Sequence, residues 1–274
     1  TLGAASLAAF ETVGAGGSTL ASLVATAGGG ADLDDISATG AIDVTAGGDL
    51  DARALSFAGL TATTGGVATL TLLTGGDLDV AAQSVDLTAS TLGAVSLFAR
   101  DGIEAEGLEL ASLSLVATGA ARLANIDSPG ALHVETGGAF DAGTLAFASL
   151  VAQAGGAATM TALSGGALDV TAERIALRAS LLDDARLVTV PVDPEPPAVA
   201  ALVVAPGAGD VTLETVDAAG DIAVAAEGDV HADTVGFASF TATAGGDAAM
   251  TALSGGDLEV TAGEVSLTAS TLGA

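Results

Sequence analysis

Leu78 to Leu92, LDVAAQSVDLTASTL, carries the pattern that decides the fold. Its apolar residues come as Leu78/Val80, then Val85/Leu87, then Leu92, with Asp79 and Asp86 between the members of the pairs. Apolar residues two apart with a polar one between mark a strand with one face buried. Three short strands, spaced roughly 8, 5 and 5 residues apart, describe one turn of a three-sided parallel β-helix. The cycle recurs as Leu150/Ala152, Ala158/Met160 and Leu163, and restarts at Leu168/Val170.

Rows of eighteen residues place Val24, Ile42, Leu60, Leu78, Leu132, Leu150, Leu168, Val204, Ile222, Phe240 and Leu258 in one column. Two residues later stand Val44, Ala62, Val80, Val134, Ala152, Val170, Val224, Ala242 and Val260. A second period, of ninety residues, lies over the first. Gly236 to Gly246 echoes Ala146 to Gly156 and Ser56 to Gly66, and Thr161 to Gly166 is identical to Thr251 to Gly256. A fixed period signals a stacked, quasi-one-dimensional architecture. A left-handed hexapeptide helix also makes eighteen-residue turns, but with even six-residue spacing. The uneven spacing here predicts an all-β, right-handed three-sided β-solenoid of about fifteen turns, roughly 70 Å long at the inter-strand spacing of about 4.8 Å.

A single continuous β-helix over 1–274 is expected, with modules 1–90, 91–180 and 181–270 and no linker between them. Gly-Gly pairs such as 47–48, 65–66, 155–156 and 245–246 fall between the strand pairs. They are read as corners, where glycine supplies positive φ or close backbone approach. No GxxxxGK[ST], and no GxGxxG opening a helix, makes them a phosphate cradle. Pro191 to Pro197 holds four of the six prolines. Because proline cannot donate to a ladder, this stretch is expected to bulge out or form an irregular turn while the ninety-residue register continues on either side.

Thirty-four acids against six arginines give a net charge of −28. Along the expected rod this is about one negative charge per 2.5 Å, within a factor of two of duplex DNA, which argues against nucleic acid and anionic membranes as partners. No apolar run is long enough for a membrane helix, and seven Phe without Trp or Tyr give no aromatic girdle for a barrel. The N-terminus has neither an initiator Met nor a basic leader and reads as a mature or internal piece.

The acids fall at outward positions and beside corners, where a solvated, self-repelling surface is their plainest role. The alternative is Ca²⁺, since carboxylates one strand spacing apart suit a hard cation. Its candidates are Asp32, Asp34, Asp77, Asp79, Asp257 and Glu259; Gly29 to Asp35 resembles the calcium nonapeptide repeat. Catalysis has little to stand on. His133 and His231 join no HExxH or Ser-His-Asp order, and Asp34/Asp35 and Asp183/Asp184 read as chance neighbours in an Asp-rich chain. Arg53, Arg100, Arg122, Arg174, Arg178 and Arg186 are scattered, and no cluster of aromatic platforms awaits a sugar. Outward threonine pairs such as Thr61/Thr63 and Thr241/Thr243 have the spacing of an ice-binding plane, but carboxylates interrupt the rank.

The runs GGDLDV (Gly75 to Val80), GGALDVTA (Gly165 to Ala172) and GGDLEVTA (Gly255 to Ala262) resemble the repeats of filamentous-haemagglutinin-type exoproteins and related large bacterial surface adhesins. The resemblance runs over essentially the whole chain. It implies a right-handed β-helical shaft, secretion across the outer membrane, and roles in adhesion, biofilm matrix or contact-dependent interaction. The expected function is therefore a non-enzymatic shaft or fibre segment of a secreted bacterial surface adhesin or matrix filament. The alternative is a carbohydrate-binding or polysaccharide-cleaving β-helix, which a conspicuous break in the outward residues would reveal. Expected partners are flanking repeats of the same protein, a second copy head to tail (TLGA stands at both Thr1 and Thr271), and host-cell or matrix polysaccharide.

Overall fold

The computed structural model describes residues 3–172, 174–178, 181–189, 202–204, 210–217, 221–268 and 270–272. The chain divides into two compact units, Thr1–Thr136 and Gly137–Ala274. Each is a β-solenoid of stacked coils built on parallel pairing, and no helix occurs among the described residues.

In the first unit every coil lays down three strand segments, and each segment pairs with its equivalent one coil along. The first face includes Ser22–Ala27, Ala41–Ala46 and the later parts of Ser56–Thr64, Thr74–Ala82 and Thr91–Ala99. The second includes Leu50–Arg53, Val67–Thr71 and Ser84–Thr88. The third is a short segment, in which Ser56 pairs with Thr74 and Thr74 with Thr91. Each coil sends its apolar residues inward in a fixed order. Leu78, Val80, Ala82, Val85, Leu87 and Leu92 are all buried, as are Leu150, Ala152, Ala158, Met160 and Leu163 in the second unit. The expected strand pairs are therefore the core.

The period is elastic. Leu23 pairs with Ile42, nineteen residues on; Ile42 pairs with Leu60, eighteen on; Leu78 pairs with Val95, seventeen on. This corrects one member of the expected column. Val24 is 43% exposed and aligned with outward Asp43, whereas Leu23 is fully buried. The extra residue lies at the corner before Ile42, where three residues separate buried Ala38 from Ile42, against two between Phe57 and Leu60.

In the first unit the corner between the second and third faces keeps one length. It holds one left-handed residue in each of its coils, Gly17, Asp35, Ala54, Leu72, Ala89, Gly107 and Asn125, and the same residue recurs as Ala162, Thr234 and Ala252 in the second unit. Most of these are not glycine. The Gly-Gly corners at 47–48, 65–66, 155–156 and 245–246, conversely, show no positive φ and are small for the other reason. A Cβ on Gly47, Gly65, Gly155 or Gly245 would lie less than 3.0 Å from a carbonyl oxygen of the neighbouring coil. Close approach, and not chain reversal, selects glycine there.

The ninety-residue period also has a packing cause. Phe57, Phe147 and Phe237 occupy one inward place, and each pairs with a glycine one coil on: Gly75, Gly165 and Gly255. A Cβ on any of these glycines would come within 2.5–2.6 Å of the ring's Cδ2. The ring fills space that the next coil vacates.

In the second unit one coil is much longer. Ala185, stacked on Leu168, pairs next with Val211, and Leu202 pairs with Ile222, so that Val204 lines up with Val224. The expected register through this region is thereby corrected. Leu168 and Ala185 open first-face strands, while Val211, Val230 and Ala248 open second-face strands. A swollen coil must still meet a ladder, since unpaired strand groups are costly to bury, and it does so one face along. With one coil this long, the total is about 13 turns in place of fifteen. The Pro191 to Pro197 segment lies outside the described residues.

Gly75→Ala should lower stability by about 1–3 kcal/mol through overpacking, and Phe57→Ala by about 3–5 kcal/mol through the cavity it leaves. The Gly75→Ala/Phe57→Leu double variant should cost less than the sum of its singles, as thermal melts followed by circular dichroism would show. Ala89→Gly should instead raise stability by about 0.5–1 kcal/mol, because φ is +48° there and glycine adopts it without a Cβ clash.

Candidate functional site

The acids do more than solvate the surface. Asp49 Oδ1 accepts the Val67 backbone N–H at 2.9 Å, Asp77 Oδ1 accepts Ala94 N–H at 3.0 Å, and Asp229 Oδ1 accepts Asp247 N–H at 2.7 Å. Asp210 Oδ1 accepts the N–H of Asp229 at 2.7 Å. Each carboxylate reaches forward one coil and satisfies a donor at a corner, where the ladder is interrupted. The sequence signal is a Gly-Asp dipeptide at the corner (Gly48-Asp49, Gly76-Asp77, Gly228-Asp229), which the reading by charge alone passed over. Buried hydroxyls act in the same way. Ser90 Oγ accepts Leu73 N–H at 3.0 Å and donates to Thr88 O at 2.8 Å.

The Ca²⁺ candidates are dispersed by the fold. Asp77 caps a corner. Asp79 stands between Thr61 and Ser96 on adjacent rungs. Asp32 is beside Asp51, Asp34 beside Arg53, Asp257 beside Ser239 and Glu259 beside Thr241. Among the described residues no three His, Asp or Glu side chains gather in a set that could hold a metal ion. His133 and His231 are exposed on strands, next to Ser114 and Thr212 respectively. Asp34 and Asp35 are both exposed, and Asp35 is the left-handed residue of its corner, with φ +52°.

The outward surface of the first unit has a concave stretch. A recess of about 470 Å³ on the first face runs over the strands that carry inward Leu60, Leu78, Val95 and Leu113 and is lined by Thr61, Asp79, Ser96, Ser114 and His133. These five outward residues occupy one column on successive rungs. Two residues along the strand from Ser96, on the same outward side, stands Phe98, which is 47% exposed. It lines a second recess of about 410 Å³, with Thr63, Gln83, Arg100 and Asp101. Within it Gln83 Nε2 donates to Asp101 Oδ2 at 2.9 Å. The column through Phe98 otherwise reads Thr26, Thr45, Thr63, Ala81, Val116 and Glu135. Phe98 is thus a break in this outward column, and strand parity marks it: Val95, Leu97 and Ala99 point inward. A related recess of about 380 Å³ in the second unit holds Val151, Asp169 and Arg186, ninety residues beyond Thr61, Asp79 and Ser96. There Arg186 Nη1 donates to both carboxylate oxygens of Asp169, at 3.0 and 3.2 Å.

By its fold the chain is a β-helical repeat protein, a β-solenoid of stacked coils. Compared with models of protein families, with curated proteins and with solved structures, it shows no significant match.

Asp49→Ala should destabilise by about 1 kcal/mol, the worth of a partly solvated hydrogen bond, and Asp43→Ala by less than about 0.5 kcal/mol. For a chain of this charge, CaCl2, MgCl2 and NaCl at matched ionic strength should raise the melting temperature alike through screening. An increment specific to Ca²⁺ that chelator removes would restore the cation reading.

Proposed function

We propose that this chain is a structural shaft or fibre segment of a secreted bacterial surface adhesin or extracellular matrix filament, without catalytic activity. The observation that carries the reading is the Phe-Gly interlock repeated at 57/75, 147/165 and 237/255. Duplicating a ninety-residue block preserves side-chain packing as well as strand pairing, so coils can be added without redesigning the core. The corner carboxylates support the same reading, because each one ties a coil to the next. So does the resemblance of the GGDLDV-type runs to haemagglutinin-type repeats. In this proposal the protein acts at the bacterial surface or outside the cell. Its partners are further repeats stacked on its strand edges, either flanking segments of the same polypeptide or a second copy head to tail.

Electron microscopy of the native full-length product tests the proposal. Thin stalks or fibres are expected, with the length of the repeat region setting the length of the stalk. Compact particles whose size does not change when a ninety-residue block is deleted would overturn it.

A further inference from the structure

The concave stretch of the first unit has a chemistry that a plain shaft does not need. Beside the Thr61 to His133 column stands a second outward column, in which Gly59, Ala94 and Ala131 are small and leave room, with Asp77 and Ser112 on the rungs between them. Along that column Asp79, Ser96, Ser114 and His133 succeed one another on adjacent rungs, about 4.8 Å apart. Each offers a hydrogen-bond acceptor, and the two serines and the histidine can also donate. Beside the column an aromatic ring stands half exposed, and beyond the ring lie an amide, a carboxylate and a guanidinium. An exposed aromatic ring flanked by hydroxyl, carboxylate and amide groups matches a pyranose ring, which has C–H faces and hydroxyl edges.

The charge narrows the class. Asp79 lies in the recess, Asp101 lies beyond the ring, and the whole chain carries −28. An anionic polymer would be repelled. The periodicity narrows it further, since equatorially linked pyranose chains repeat at a length close to one rung. We propose that this face of the first unit binds a neutral saccharide chain laid along the coil axis, with one ring stacked against Phe98 and hydroxyls held by Asp79, Ser96 and Ser114. The site is additional to the shaft role and independent of it; a shaft that binds no sugar would leave the function proposed above intact. The corresponding recess of the second unit provides an internal contrast, because there the Asp169 carboxylate is engaged by Arg186.

The test is calorimetric titration of the intact chain with cellohexaose and chitohexaose, and with oligogalacturonate as the anionic comparison. Saturable binding of at least one neutral hexamer is expected, with none of the anionic one. Phe98→Ala should weaken binding about tenfold or more, and Asp79→Asn should weaken it measurably. Val151→Ala, on the second unit, should leave it unchanged. Both Phe98 and Asp79 are outward residues, so circular dichroism melts should confirm that the variants fold. No heat with either neutral hexamer at millimolar concentration would overturn the proposal. So would binding that Phe98→Ala leaves intact, or a preference for oligogalacturonate.

Discussion

Everything in this protein follows from the requirement that each strand pair with its own equivalent one coil along, at about 4.8 Å. The ladder leaves no freedom to stagger side chains, so an inward residue stacks directly on its counterpart above and below. Leu60 on Leu78 on Val95 is a comfortable column, because medium aliphatic groups fit that spacing. A phenyl ring does not fit under another side chain at the Phe57 place, and the next coil responds with Gly75. At that place the large ring is matched by an absent side chain on the next coil, and elsewhere small and medium aliphatic groups stack, which is how a narrow core reaches native density.

The corners divide the remaining work unequally. The left-handed corner between the second and third faces keeps one length in the first unit and, over the two units, tolerates Ala, Leu, Thr, Asp and Asn, each at some cost in backbone strain. The other two corners absorb the coil-to-coil variation in length. Ala82 to Val85 is shorter by one residue than Thr64 to Ala68, and the Gln83-Ser84 step replaces the Gly65-Gly66-Val67 step there. Where a corner is elastic its backbone donors lose regular partners, and it is at these corners that Asp49 and Asp77 reach across to Val67 and Ala94.

Much of the fold was legible because a buried face two residues apart leaves a strong trace. The inward sets at Leu78 and Leu150 needed no structure to be recognised. A rigid row of eighteen failed at Val24 and at Val204, because spacing counts residues whereas the ladder counts strand pairs: one extra residue at a corner shifts the parity of Val24, and the longer coil moves Val204 by two residues to the place of Val224. Glycine at the Gly-Gly corners left two readings open, positive φ or close backbone approach, and the second holds at Gly47, Gly65, Gly155 and Gly245; the left-handed positions carry mostly other residues, because φ depends on the turn while glycine content there depends on the next coil. Phe98 was readable from the parity of its strand but was hidden by composition, since a chain with few aromatics does not advertise one that faces out.

The acids show how a heavily charged solenoid remains assembled. Two carboxylates on adjacent rungs repel by about 0.9 kcal/mol in water at 4.8 Å, before screening. Unbroken columns of Asp would sum this over every coil. On the first face of the first unit the charged column interposes hydroxyls, with Asp43, Thr61, Asp79 and Ser96 on consecutive rungs. On its second face acids do fall side by side, at Asp32/Asp51 and at Asp86/Glu104. Each of these pairs has an arginine beside it. Arg53 donates to Asp51 at 3.4 Å, and Arg122 occupies the rung after Glu104. Two of the arginines that looked scattered along the sequence, Arg53 and Arg122, are in this way brought by the coil period to rungs where acids adjoin. The net charge can then remain high enough to oppose edge-to-edge association without any one ladder bearing it.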